Sequence, residues 1–258
     1  MRLPAVLISS VLLAASTATA QDLQYRMRSR VSMPDTPPAS APATETAMFM
    51  KGGRIRLDTR TSEGSNSIIV NTDVGRMYLV DHGSKTYREQ MMPRVIGKPP
   101  ATDTAAIRAM GLLPQVTQTK ETRTIMGFSA TRVLSVQRVP YPSDPTASMV
   151  TVTESWISRD PRLMKVYNAS MQAAQRVLGA ETSAMMEMIS GHMQGVPLET
   201  TTIALQRNDK QPVDPAVVLK QANPEGFMMR NHMEPVEVKL LTLAESIFAV
   251  PPGYRKLN

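Results

Sequence analysis

Apolar and polar residues begin to alternate at Leu23. Leu23, Tyr25, Met27, Val31 and Met33 are interleaved with Gln24, Arg26, Arg28, Arg30 and Ser32. A period of two predicts a half-buried β-strand with its arginines on the wet side. A run of short strands is predicted next. Met48 to Lys51 turns at Gly52-Gly53 into Arg54 to Asp58, and Ser67 to Thr72 turns at Asp73-Val74-Gly75 into Arg76 to Val80. Asp81-His82-Gly83-Ser84 then leads into Lys85 to Gln90. Each piece is bounded by turn residues and close enough to its neighbour for antiparallel pairing. Thr117 to Ile125 and Phe128 to Val139 meet at Met126-Gly127, and Ser148 to Ser158 follows a proline-rich loop over 141–145. Leu198 to Gln206 and Pro235 to Ala244 complete the strands. Pro34 to Thr46, built of Pro, Ala, Thr and Ser without periodicity, reads as a mobile loop.

The period changes to 3.6 in three places. Thr102 to Met110 predicts a short helix ended by Gly111. Pro161 to Leu178 predicts a longer one stopped by Gly179, with Glu181 to His192 continuing after the break. Leu163, Val166, Tyr167, Ser170, Met171, Ala174, Val177 and Leu178 fall on one face of it. Asp214 to Gln221 reads as a short helix or loop. Strands follow strands without alternating helices, so the fold class is α+β and mainly β, with an antiparallel sheet in one domain over residues 21–258. Such a sheet needs a cover for its apolar face, and the helical insertion near 161–193 is the candidate.

The first twenty residues stand apart. Met1-Arg2 is a short basic start, Ala5 to Ala15 is apolar except for Ser9 and Ser10, and Ala18-Thr19-Ala20 is an A-x-A cleavage site. That apolar run is shorter than the about 20 residues a membrane span requires, so residues 1–20 are predicted to be a signal peptide and the mature chain to be periplasmic. The chain has no cysteine. Disulfides, thiolate chemistry and a thioether-linked lipid anchor are therefore excluded, and the protein is expected to be soluble and stabilised by an apolar core. Removing Arg2 lowers the net charge of +7 by one; the remaining excess favours contact with anionic membrane surfaces. Nucleic acid is not expected as a partner, because aromatic residues for stacking are scarce.

From the Tyr25–Met33 strand through charged hairpins, the chain reaches Glu154-Ser155-Trp156-Ile157-Ser158, a helical insertion, Gly195-Val196-Pro197-Leu198-Glu199-Thr200 and a Phe248–Tyr254 end. This order resembles exported domains of unknown function near the outer-membrane lipoprotein carriers (LolA/LolB-like proteins). The resemblance implies a half-open antiparallel β-barrel whose concave apolar face is lidded by helices around a lipid acyl chain. The Pro34–Thr46 loop and the 20 methionines depart from that pattern, and no individual ligand-contacting residue carries over.

Methionine is unbranched and polarizable, so a methionine-lined surface can repack around a ligand of no fixed shape. Met185, Met186, Met188 and Met193 cluster at the second helical segment. Tyr25, Met27, Trp156, Met185, Met186 and Met188 are the residues expected to line an apolar cavity, the alternative being ordinary core filling. A second pattern is the spacing M-x3-H-M, present once as Met188, His192 and Met193 and again as Met228, His232 and Met233. Thioether and imidazole together suit copper as Cu(I), which gives the alternative of a metal-binding protein; otherwise no cofactor is expected. An envelope assembly domain with a filled core is a third reading. Arg26, Arg28 and Arg30 would form a basic stripe with Arg54 and Arg56 if their strands were neighbours, or a solvated outer face if not. H-E-x-x-H, G-x-S-x-G, phosphate-loop and dinucleotide signatures are absent. Asp81-His82 is expected merely to shape its turn, and no enzyme activity is predicted.

Overall fold

The computed structural model describes residues 22–36, 40–92, 113–141, 143–175, 194–208 and 212–257. The signal segment 1–20, the helices expected over 102–110 and 181–192, and Met193 at the end of the expected insertion lie outside the described residues.

Twelve strands form one sheet: β1 (Asp22–Ser32), β2 (Ala43–Lys51), β3 (Arg54–Arg60), β4 (Ser65–Asn71), β5 (Arg76–Asp81), β6 (Thr86–Met91), β7 (Gln115–Ile125), β8 (Phe128–Tyr141), β9 (Asp144–Ser158), β10 (Val196–Arg207), β11 (Phe227–Leu241) and β12 (Arg255–Leu257). Their spatial order is β12-β6-β5-β4-β3-β2-β1-β11-β10-β9-β8-β7. β7 and β12 end the order without pairing to each other, so the sheet is open rather than a closed barrel. Every pairing is antiparallel except β12 on β6, a short parallel edge. The first strand sits mid-sheet because the chain returns late: β11 pairs along the whole of β1, from Asp22 opposite Leu241 to Ser32 opposite Arg230.

The sequence boundaries move furthest at two places. Residues 34–46 are not one loop, since β2 starts at Ala43 and pairs Thr44, Glu45 and Thr46 with Ser29, Arg28 and Met27. The last long strand starts at Phe227 rather than Pro235. The hairpins fall where the turn residues placed them. Met126 (φ 49°) and Gly127 (φ 82°) make the β7–β8 turn, the double positive φ that a two-residue hairpin of this twist demands.

Odd and even residues of β1 face opposite sides, because its pairing with β2 is uninterrupted. On the odd side, helix α1 (Pro161–Gln175) covers the sheet. Leu163 and Val166 of α1 pack with Leu23, Tyr25, Met50, Phe128, Val196 and Leu198. Ser170 is also buried and its hydroxyl donates to the Gly52 carbonyl at 3.2 Å. On the even side two separate covers are used. Helix α2 (Pro215–Lys220) seats Val218 on Val150, Val152, Ile203 and Leu205. A C-terminal segment with a 3-10 turn (Glu245–Phe248) places Leu243 and Phe248 on Ile69 and Val80. Buried Asp22 fastens that segment: its Oδ2 accepts the Leu243 N–H at 2.9 Å and lies 3.4 Å from Lys51 Nζ.

Asp160 caps α1. Its Oδ1 accepts the Arg162 backbone N–H at 2.9 Å, and the Arg162 guanidinium contacts both carboxylate oxygens at 2.8 and 3.0 Å. Those bonds, the Arg162 side chain foremost, hold the carboxyl pKa down to about 2. A group depressed below its unfolded value of about 3.9 contributes stability above that pH and loses it as the pH falls through the folded value. The stability of the wild type relative to Asp160→Asn, which caps without titrating, should therefore decline between about pH 4 and pH 2. Urea denaturation of both proteins across that range checks this, and parallel curves would overturn it.

Candidate functional site

Three of the six residues expected to line an apolar site meet under α1. Tyr25 is buried, and its O–H is directed at the carbonyls of Pro197 and Leu198, each at 2.8 Å. Burial, with the Tyr167 and Glu199 charges adding to it, pushes the Tyr25 phenol above its ordinary range. It is a neutral donor at any physiological pH. Met27 and Trp156 pack, half-buried, against the same cluster, as do Met48, Met164, Tyr167, Val238 and Leu240. The Arg123 guanidinium lies over the Trp156 ring, 4.0 Å from its centroid, and is anchored by Glu199 at 2.7 Å. Such a stacked cation shields the ring from water while keeping its own charge solvated. Met185, Met186 and Met188 lie outside the described residues.

The two M-x3-H-M copies fare differently. In the first, Met188, His192 and Met193 all lie outside the described residues. The second copy does not gather its ligands, which corrects the expectation for it. Met228, His232 and Met233 all belong to β11, where neighbours point to opposite faces and residues four apart are separated by about 13 Å. Met233 lies opposite Ser29 and Thr200, whereas His232 lies opposite Arg30 and Thr201. The His232 Nδ1 is 2.9 Å from Thr201 Oγ1. These three side chains therefore do not converge on one ion. Among the described residues no group of three or more His, Asp or Glu side chains is arranged to hold a metal.

The even face between α2 and the C-terminal segment is polar. Arg26, Arg28 and Arg30 do share a face with Arg54 and Arg56, but β2 separates their strands and carboxylates fill the gaps. Arg28 pairs with Glu45 at 3.2 Å and Glu234 at 3.8 Å, Arg30 with Glu234 at 3.1 Å, and Arg26 with Glu237 at 3.9 Å. The expected stripe is an alternating lattice of charge, each half-exposed pair worth about 0–1 kcal/mol.

One end of this face holds a cavity of about 410 Å³ bordered by Arg26, Glu45, Arg56, Asp58, Arg60 and His82. Behind its Asp58 and His82 side chains, Ser67 Oγ lies 2.6 Å from Asp58 Oδ1 and 2.5 Å from His82 Nε2, and His82 Nδ1 lies 2.8 Å from the Tyr254 hydroxyl. Arg56 Nη2 also donates to Ser67 Oγ at 3.2 Å. A hydroxyl has one proton, and a carboxylate can only accept. Ser67 therefore donates to Asp58 and accepts from His82 Nε2–H, which leaves Nδ1 to accept from Tyr254. The order is the reverse of a nucleophile–base pair, where histidine takes the serine proton, and Ser67 is buried. The chain of bonds locks the C-terminal segment onto β4 and β5. His82 was legible as a turn residue, but no sequence signal joined it to Tyr254.

No helix among the described residues is long and apolar enough to cross a membrane. No family model matches the chain, and no curated protein matches it. Among solved structures it is similar to PNGF-II, at 10% identity and a TM-score of 0.36 over 92% of this chain. It spans only 30% of the PNGF-II chain. It is also similar to a DUF1329 family protein from Desulfovibrio piger, at 7% identity and a TM-score of 0.27 over 90% of this chain and 91% of that one. A β-barrel-like protein of the domain of unknown function DUF1849 from Brucella abortus gives 10% identity and a TM-score of 0.20 over 87% of this chain and 99% of that one. Likenesses at these scores assign no family. What the residues define is a mainly β protein with one open sheet and separate covers on its two faces.

Proposed function

We propose that this chain is an exported, periplasmic binding protein that takes an apolar ligand between its sheet and helix α1. The ligand class is an acyl chain, from a lipid or a lipidated polypeptide. The observation that carries this reading is the collar of half-buried apolar side chains, Met27, Met48, Trp156, Met164 and Tyr167, around a fully buried floor. A closed core would bury such side chains outright; here they lie between water and the interior, where methionine can repack around a flexible guest. On this reading the sheet acts as a half-open barrel and α1 as the lid. Each methylene buried supplies about 0.8 kcal/mol, so ten supply about 8 kcal/mol against the cost of immobilising the chain. The mature protein on this reading is released rather than anchored, since it has no cysteine to carry a lipid.

Native mass spectrometry of the full mature protein, purified without detergent, tests this. The expected spectrum contains a species heavier by the mass of a lipid, and organic extraction removes the increment. A spectrum of bare protein only, before and after exposure to mixed phospholipid vesicles, would overturn the proposal.

A further inference from the structure

A second cavity, of about 580 Å³, opens on the even face, away from α1. Arg30 and Ser32 of β1, Arg230 and His232 of β11, Thr201 of β10 and Leu219 of α2 border it, with Glu154 of β9. Sheet register brings them together: Arg30 is opposite His232, His232 opposite Thr201, Thr201 opposite Glu154, and Ser32 opposite Arg230. Directly opposed residues share a face, so three cationic or imidazole side chains and two hydroxyls border one space.

Most of these groups have partners. Glu154 is engaged by the Arg132 Nε, Arg30 pairs with Glu234 at 3.1 Å, and Thr201 is bonded to His232 Nδ1. With Thr201 donating to that nitrogen, the proton of the ring sits on Nε2, a donor. Arg230 differs. Its Nη2 donates to the Gln221 carbonyl at 2.5 Å, but its Nε is buried without a hydrogen-bond partner among the described residues. Loss of water pushes its pKa down, and no described carboxylate acts on it to offset that. Arg230 as a whole is half-buried, but leaving its buried Nε–H without an acceptor is costly. An oxyanion accepting from the Nε–H and an adjacent N–H would complete it with the strongest kind of hydrogen bond.

We propose that this cavity binds a phosphate-type oxyanion, with Arg230 as its main contact and His232, Ser32 and Arg30 as supporting donors; Thr201, whose one proton goes to His232 Nδ1, orients that imidazole. Four donor side chains, two from β1 and two from β11, can meet the several oxygens of a tetrahedral anion, more than a flat carboxylate presents. The cavity is larger than a bare phosphate ion and leaves room for an organic remainder. The anion can therefore come from free phosphate or from a phosphorylated headgroup. The site stands apart from Leu23 and Tyr25 of the apolar floor, which lie on the other face of β1 from Arg30 and Ser32.

Isothermal titration of the full mature protein in a chloride buffer tests it with three probes: inorganic phosphate, glycerol 3-phosphate and dihexanoyl phosphatidic acid. At least one probe should bind saturably. Arg230→Gln should bind it at least about tenfold more weakly, and Arg60→Gln, at the other cavity, should bind it like the wild type. Preference for the phosphatidic acid assigns a headgroup, and preference for the smaller ions assigns a free anion. If circular dichroism shows Arg230→Gln unfolded, the double variant Thr201→Val/His232→Gln is read in its place, with the same loss expected. Absence of saturable binding for all three probes, or equal binding by wild type and the cavity variants, overturns the site. So does an equal loss in Arg60→Gln, which marks unspecific attraction to basic side chains.

Discussion

Gly226→Ala is expected to destabilise the fold by about 3 kcal/mol or more, the sum of a strained backbone and a steric clash. Gly226 has φ of 73°, and a Cβ built there falls 1.9 Å from the Gln206 carbonyl oxygen. That neighbour is backbone, so no side chain can swing away. The two strands are also tied at this point, where the Gln206 N–H donates to the Gly226 carbonyl at 2.7 Å. The register of β10 on β11 shifts just beyond, between Ala204 and Leu205. Relief of the clash would have to open the ladder that carries His232 and Arg230 into their cavity. Gly64→Ala is the control, since nothing lies within 4 Å of a Cβ there. Its effect should be within about 0.5 kcal/mol. Denaturant midpoints compare the two, and equal midpoints would contradict this account of the β10–β11 junction.

Leu163→Ala is expected to cost about 3 kcal/mol, within the usual 2–5 for truncating a fully buried leucine. Leu163 has no exposed surface and fixes α1 to the floor formed by Leu23, Tyr25 and Leu198. Val166, the Ser170 hydroxyl on Gly52 and the half-buried Met164 and Tyr167 supply further attachment, but Leu163 is the largest fully buried side chain of the helix. Val217→Ala on α2 provides the contrast. Val217 is 51% exposed, and its loss should stay within about 0.5 kcal/mol. Thermal unfolding of the two variants separates them, and a Leu163→Ala loss below about 1 kcal/mol would mean that α1 is not seated as described.

How much of this was legible follows from where the stabilising contacts lie. The hairpins from Gly52 to Gln90 and the Met126-Gly127 turn were legible because local turn chemistry specifies them. β2 was not read back to Ala43 because residues 43–46 carry no apolar alternation. What holds them is the partner strand, with Glu45 meeting Arg28. The start of β11 was missed for a related reason. Phe227-Met228-Met229-Arg230-Asn231-His232 has no clean period, and its strand form depends on β1 and β10 on either side. The same strand undoes the M-x3-H-M reading of Met228, His232 and Met233, because spacing in sequence says nothing of facing until the period is known. For Met188, His192 and Met193 that reading rests on spacing alone. Among the site residues, Tyr25 and Met27 followed from the period of β1. Their meeting with Trp156, more than a hundred residues away, followed only from the order of strands. Arg230 and the Ser67–His82–Tyr254 chain gave no sequence signal, because their meaning lies in partners that are distant in sequence or, for the Arg230 Nε, absent among the described residues.

Trp156 is the sole tryptophan of the chain and stands in the seam between sheet and helix, so its fluorescence reports on that place alone. Titration of the mature protein with a fatty acid carrying a nitroxide on its chain measures contact at short range. An acyl-binding seam predicts saturable quenching of Trp156 that ends near one ligand per chain and is reversed by an unlabelled fatty acid. Emission that stays constant, or that falls linearly without saturation or reversal, would show that no acyl chain enters beneath α1.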